Sequence, residues 1–255
     1  YEIRLQQAIE YDLLCPFHYY GITDMTIDDH VIDDKSDFNL LVDEKRVDYV
    51  IDKINDYGYS GDRVHGLIFV RRKEEAHRLS EMFNQRGFNT CALTGEATEN
   101  QRQEAMDSLE SNEDDSLDYI FTVDIFNEGI DIPKVNQVVM LRPTQSSIIF
   151  IQQLGRGLRK NNEKDYVVVI DFIGNYEKNF FIPIALSGNT NFNKDNLRRF
   201  VSEGNLIIPG ASTIQFDEIS KKRIFNAIDL ARFNDIKYIK DSYKDLKAKI
   251  GRIPE

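Results

Sequence analysis

The chain of 255 residues has no tryptophan, two cysteines, six prolines and four histidines. Each scarcity excludes something. Cys15 and Cys91 are too far apart for a short metal or redox motif, so free thiols in a reducing, cytoplasmic setting are expected. Histidines 18, 30, 65 and 77 follow no zinc spacing, and no metal site is expected. No long apolar run reads as a membrane span or a signal peptide, so no membrane partner is expected. The run G-x-x-x-x-G-K-[ST], whose backbone cradles phosphates, is missing. That excludes a self-contained P-loop nucleotide site. Positive charge is also short: the net charge is −11. A general nucleic-acid glue is thereby disfavoured, because affinity for the phosphate backbone comes from Lys and Arg.

What is present is a rhythm. Short continuous apolar runs at Leu67–Val70, Thr90–Leu93, Tyr119–Val123, Gln137–Leu141 and Tyr166–Ile170 read as strands covered on both faces. Helical stretches separate them at about Lys73–Arg86, Gln101–Leu109 and Ser146–Leu158. Strands alternating with helices predict an α/β fold, a doubly wound parallel sheet. Ligands of such sheets bind at the carboxyl ends of the strands. Sixteen Phe and twelve Tyr are enough to fill one core without Trp. His65 is expected at a strand start.

Gln152-Gln153-Leu154-Gly155-Arg156-Gly157-Leu158-Arg159 reads Q-x-x-G-R-x-x-R. On a helix, positions 152, 156 and 159 share one face, while Leu154 and Leu158 fall mostly off it. The pair is either two solvated charges or a phosphate clamp, since guanidinium is permanently charged and forks onto phosphate oxygens. Upstream, Tyr119 to Val123 runs into a loop carrying Gly129, Asp131 and Pro133. That loop is either a plain strand-to-helix connection or a backbone approach to phosphate. Gly129 permits close contact, and Thr122 can donate one hydrogen bond.

Taken in order, these segments resemble the motifs of the superfamily 2 helicases and translocases, which include the DEAD and DEAH box proteins. His65 to Ala76 resembles the family's fourth motif. Leu93-Thr94-Gly95 with Arg102 resembles its strand, glycine loop and helix. Thr122 to Pro133 resembles the fifth motif, and Gln152 to Arg159 the last one. The resemblance covers Gly66 to Arg159 and implies a RecA-like domain with helical flanking segments. It implies Arg156, Arg159 and Gln152 as catalytic residues, and Gly129, Asp131 and Gly155 beside the nucleotide. Thr122, Thr94, Gly95 and Arg71 would meet nucleic acid. The implied cofactors are ATP and Mg2+, held mainly by a first motor domain. That N-terminal RecA-like domain of the same polypeptide is an implied partner, as is DNA in preference to RNA, from a likeness to helicase-like restriction and repair proteins. No acidic quartet of the DEAD type follows a strand here, so the chain reads as the second half of a split ATPase.

The flanks differ in charge: residues 1–60 carry −9, residues 61–186 −6 and residues 187–255 +4. Residues 1–60 are expected to be an inter-domain linker with one helix at Glu44–Tyr57, its acids at 24 to 37 solvated. Residues 61–186 are expected to be the RecA-like domain. Residues 187–255, with Leu206–Gly210 and two basic helical stretches at about Ser220–Phe233 and Ile236–Ile250, are expected to begin an accessory helical region. That region either lines a nucleic-acid path or docks the remainder of the protein, with docking preferred.

Two functions are compatible with this pattern. One is the second motor domain of an ATP-dependent helicase or translocase, supplying arginine fingers and part of the nucleic-acid track. The other is a RecA-like scaffold that binds nucleic acid or protein without catalysis. Under the first, the chain alone turns over no ATP, because arginines without a nest of backbone donors do not hold a triphosphate. Phosphate release measured with single-stranded nucleic acid is expected at the level of an Arg156→Ala control. Release above that control would contradict this.

Overall fold

The structure, a computed structural model, describes residues 5–123, 132–144, 155, 158–187, 193–203 and 211–231. Its centre is a seven-stranded sheet ordered β5-β6-β4-β7-β8-β1-β9, with every pairing parallel. The strands are β1 (Phe17–Thr23), β4 (Gly66–Phe69), β5 (Thr90–Leu93), β6 (Tyr119–Thr122), β7 (Gln137–Met140), β8 (Val167–Ile173) and β9 (Thr213–Phe216). Two short strands, β2 (Thr26–Ile27) and β3 (His30–Val31), form a separate hairpin. The helices are α1 (Leu5–Glu10), α2 (Phe38–Leu41), α3 (Glu44–Tyr57), α4 (Lys73–Asn84) and α5 (Glu99–Glu110), then α6 (Phe181–Ser187), α7 (Lys194–Glu203) and α8 (Glu218–Leu230).

The five apolar runs are the five strands that the pattern predicts, their ends shifted by at most three residues. They carry no polar face because helices cover both sides. Leu67, Phe69, Ile120, Val138, Met140 and Val169 face one core with α5 to α8. Ile68, Phe121, Val139, Leu141, Ile170 and Phe172 face the other with α3 and α4. Gly66 is fixed by packing: a Cβ there would lie 2.1 Å from the ring of Tyr119. The helix at Glu44–Tyr57 begins on Asp43, whose carboxylate accepts from the Lys45 amide. It buries Val47, Val50 and Ile54. The helix expected at Ser146–Leu158 is described only at Gly155 and Leu158. Leu206–Gly210 and Ile236–Ile250 lie outside the described residues.

The flanks differ from the expectation of a linker and an appended region. β1 sits inside the sheet between β8 and β9, and α8 packs on it. Strands from residues 17–23 and 213–216 therefore continue the sheet of residues 61–186. β1 reads F-H-Y-Y-G-I-T, with polar tips that suggest exposure. Those tips find partners across long sequence distances. Tyr19 donates to Asp171 at 2.6 Å, and His18 Nδ1 lies 2.8 Å from the Thr213 hydroxyl. No local pattern announces bonds of that span.

The acids at 24 to 37 are solvated only in part: Asp28, Asp29, Asp34 and Asp37 are exposed, but Asp24 is not. Asp24 is fully buried, and the guanidinium of Arg46 donates to both its oxygens at 3.0 and 2.8 Å. A third bond runs from Arg46 to the Leu41 carbonyl. Burial works against the Arg46 charge, and Asp24 more than restores it, so its pKa rises. The segment between closes a small core of Ile27, Ile32, Leu41 and Tyr176.

A buried pair broken on one side leaves an uncompensated charge, which costs roughly 3–5 kcal/mol. Asp24→Ala should therefore lower the urea midpoint by about that stability. Asp28→Ala, which removes a pair exposed on both sides, should change it by about 0–1 kcal/mol. Equal effects of the two substitutions would show that the buried pair does not anchor the fold.

Candidate nucleotide and nucleic-acid site

The chain leaves β4 in two directions: β6 pairs on one side and β7 on the other. Carboxyl ends at such a switch point form the crevice where ligands of doubly wound sheets bind. The amide of Val70 donates to the Thr122 carbonyl at 3.0 Å, and that of Leu141 to the Phe69 carbonyl at 2.9 Å. Thr122, Arg71 and Arg142 thus leave three adjacent strands at one edge. Thr94 and Gly95 follow β5, whose Leu93 is in register with Thr122.

Thr122 ends β6 fully buried, and its hydroxyl has no hydrogen-bond partner. An orphaned buried hydroxyl costs about 1–3 kcal/mol and calls for an explanation. Thr94 is buried, while Gly95 is exposed with open space where a Cβ would stand. Just beyond, Thr98 caps α5 in a reciprocal box with Gln101, which fixes the loop's exit. Arg102 on α5 is half-buried, and its Nε has no partner.

Arg71 is engaged within the fold. It donates to the Asp33 carbonyl at 2.8 Å and to the Tyr176 hydroxyl at 2.9 Å, and lies 5.0 Å over the Tyr176 ring. Its Nε is buried without a partner. The Arg71 amide donates to Glu75 at 3.0 Å, and the other Glu75 oxygen is also orphaned. Burial raises the Glu75 carboxyl, with Arg46 and Arg71 pulling the other way.

Gly129, Asp131, Gln152 and Arg156 lie outside the described residues. Around them, Leu158 is fully buried and its carbonyl accepts from the Cys15 amide at 2.8 Å. Arg159 is exposed, and Gly155 is half-buried with open space where a Cβ would be. Leu158 is therefore held in the core while the residue after it is exposed. His65 and the cysteines serve the fold. His65 is buried at the strand start with Nδ1 2.5 Å from the Leu109 carbonyl, and burial lowers its pKa. Burial pushes the Cys91 thiol up to about 11.

Residues 45–161 match the family of helicase conserved C-terminal domains. These residues are such a domain. They are of the RecA-like, C-terminal domain type found in superfamily 2 helicases. Over 108 residues the chain is 33% identical to IRC3 of Saccharomyces cerevisiae, named as a candidate ATP-dependent helicase, covering 42% of this chain and 15% of that protein. Over 106 residues it is 30% identical to the ATP-dependent RNA helicase SrmB of Haemophilus influenzae, covering 42% of this chain and 24% of that one. The chain thus spans a quarter or less of the length of these relatives. The fold is shared with the ATP-dependent Type ISP restriction-modification enzyme LlaBIII, solved bound to DNA. The TM-score is 0.57 at 18% identity, over 97% of this chain and 19% of that one. No described helix of the helicase domain is long and apolar enough to cross a membrane.

Sequence reading missed a second set of residues at this edge of the helicase domain: Asp24, Arg46, Glu75, Tyr176 and Asp171. One signal was available. Val167-Val168-Val169-Ile170-Asp171-Phe172-Ile173 places a carboxylate inside a wholly buried run. Tyr19 donates to the Asp171 carboxylate at 2.6 Å. Burial pushes its carboxyl up to about 7, with the Tyr19 bond acting the other way and Asp24 adding to the rise. The folded state then keeps a proton that the unfolded chain releases above the ordinary value of 3.8. Stability therefore falls as pH rises from about 4 to about 7, and the deficit is complete above that. Asp171→Asn should flatten this slope in urea unfolding and raise the midpoint above pH 7. An unchanged slope would place the titration elsewhere.

Proposed function

We propose that the whole protein is an ATP-dependent helicase or translocase, in which this domain supplies the arginine side of the nucleotide cleft and half of the nucleic-acid track. One observation carries the reading: Leu158 is locked in the core while Arg159 is exposed beside the open Gly155. Such an anchor supports the reading that the motif presents its second arginine at the domain surface, toward a nucleotide gripped by another domain.

On this reading ATP and Mg2+ are bound mainly by the first motor domain of the same polypeptide. Arg156 and Arg159 would approach the γ-phosphate when the cleft closes, with Gln152 one turn back positioning the phosphate or the attacking water. Gly129, Asp131 and Gly155 would lie against the nucleotide. Bound ATP supplies the phosphoryl group; the residues here supply charge that matters most in the transition state. Thr122, Thr94, Gly95 and Arg71 would face the phosphates of one strand. The orphaned Thr122 hydroxyl at the strand end supports that assignment. Contacts of this kind are independent of base sequence and sensitive to salt. DNA is preferred over RNA, as the resemblance to restriction and repair proteins implies. The SrmB relatives are RNA helicases by name, so both polymers belong in the test.

In the full-length protein, Arg156→Ala should reduce nucleic-acid-stimulated ATP turnover by about 10³–10⁵, the range for an arginine finger. ATP binding should stay nearly intact. Arg156→Lys should not restore turnover, since a point charge lacks the planar fork. Undiminished turnover in Arg156→Ala would remove the arginine-finger role, and no turnover by the unaltered full-length protein would favour the scaffold reading.

A further inference from the structure

Residues 24–43 carry seven aspartates and one lysine, and they fold back as a strap over the carboxyl edge beside β4 and β8. The strap is clipped at its base by the buried Asp24–Arg46 pair. Along its length the Asn175 amide donates to the Ile32 carbonyl at 2.7 Å, and the Glu177 amide to the Asp34 carboxylate at 2.8 Å. Gly174 allows this approach: a Cβ there would stand 2.5 Å from the Ile32 carbonyl. The tip residues Asp28 and Asp29 are exposed, as are Asp34 and Asp37.

Two arginines leave β4 directly under the strap, and both reach its backbone. Arg71 donates to the Asp33 carbonyl at 2.8 Å and Arg72 to the Ser36 carbonyl at 3.4 Å. Arg71 also donates to the Tyr176 hydroxyl. All three acceptors are neutral. Guanidinium bonds to charged oxygens are roughly twice as strong as bonds between neutral groups. The Arg71 Nε is orphaned as well, so this cation has donor capacity that its present partners do not use. A phosphate would supply charged acceptors for it. The acidic strap surface meanwhile repels any phosphate that approaches while the strap is down.

We propose that the strap of residues 24–43 competes with a nucleic-acid backbone for Arg71 and Arg72, so that loading a strand exchanges strap carbonyls for phosphates and lifts the strap. This rests on the reading of this edge as part of the nucleic-acid track. The residues that loosen the strap, Asp34 and Tyr176, belong to neither the nucleotide side nor the track.

The test uses the 255-residue chain and fluorescence anisotropy with labelled oligothymidylate and oligouridylate at low salt. Asp34→Ala with Tyr176→Phe should tighten binding by at least about 2–10-fold, the worth of one such bond, because the Glu177–Asp34 and Arg71–Tyr176 bonds are both lost from the closed arrangement. Adding Arg71→Ala and Arg72→Ala should remove that gain. Binding unchanged by the strap variant, or a gain that survives the arginine substitutions, overturns the proposal. If Thr122→Ala weakens both forms in that case, the track reading stands and only the strap fails. If no form binds either oligonucleotide, both fall. Hydrogen exchange on the unmodified chain gives a readout free of folding defects. Oligothymidylate should speed exchange at the Asn175 and Glu177 amides, and slower or unchanged exchange there overturns the proposal.

Discussion

A carboxylate and a guanidinium taken out of water together hold this fold's periphery to its sheet. Asp24 and Arg46 are both essentially inaccessible and joined by two bonds. Neither side chain tolerates burial alone, because the cost of desolvation is recovered only when the partner and the remaining hydrogen bonds are in place. The pair therefore fixes where β1 ends, where α3 begins, and how the twenty residues between them must return. Tyr176, Glu75 and Arg71 are assembled around it, and their electrostatics depend on it.

The consequence is an edge with unusual polar content. In a doubly wound sheet the carboxyl ends are where backbone groups run out of partners and ligands take their place. Here Thr122, Arg71, Glu75 and Arg102 each keep a buried polar atom without a partner. Three of them cluster at the β4–β6 end of the edge. Folding alone gives no reason to hold such atoms, since satisfying or removing them would stabilise the domain. Their retention is what a surface prepared for another polar body looks like, whereas the opposite edge is fully bonded. There His65, Asn136 and Arg63 tie loops to one another, largely through carbonyls, and none of them leaves such a gap among the described residues.

The chain's acidity fits the same picture. A net charge of −11 does not suit a protein that holds nucleic acid by bulk attraction. A motor must also let go, and a track made of a few amides, hydroxyls and arginines within an acidic frame releases a strand readily. The negative charge is concentrated in residues 1–60, much of it in the strap beside the two arginines.

How far the sequence reaches can be judged residue by residue. Apolar runs determined β4 to β8 and the parallel sheet, because a strand buried on both faces must be apolar throughout. Spacing determined α3, because Val47, Val50 and Ile54 recur at helical period. Motif order determined the family, since the spacing of strand, loop and arginine helix is imposed by one nucleotide and one strand of nucleic acid. The sequence did not determine that β1 and β9 join the sheet. Their polar tips, Tyr19 and His18, are satisfied only by residues about 150 and 195 positions away. Nor did it determine that Asp24 is buried, because one aspartate among seven in a strap reads like its neighbours until Arg46 is folded against it. The tertiary structure alone decided that Arg71, an arginine in the right motif, spends its donors on the Asp33 carbonyl and Tyr176. Donors are claimed by whatever acceptors packing brings within reach, and that proximity is a property of the folded chain.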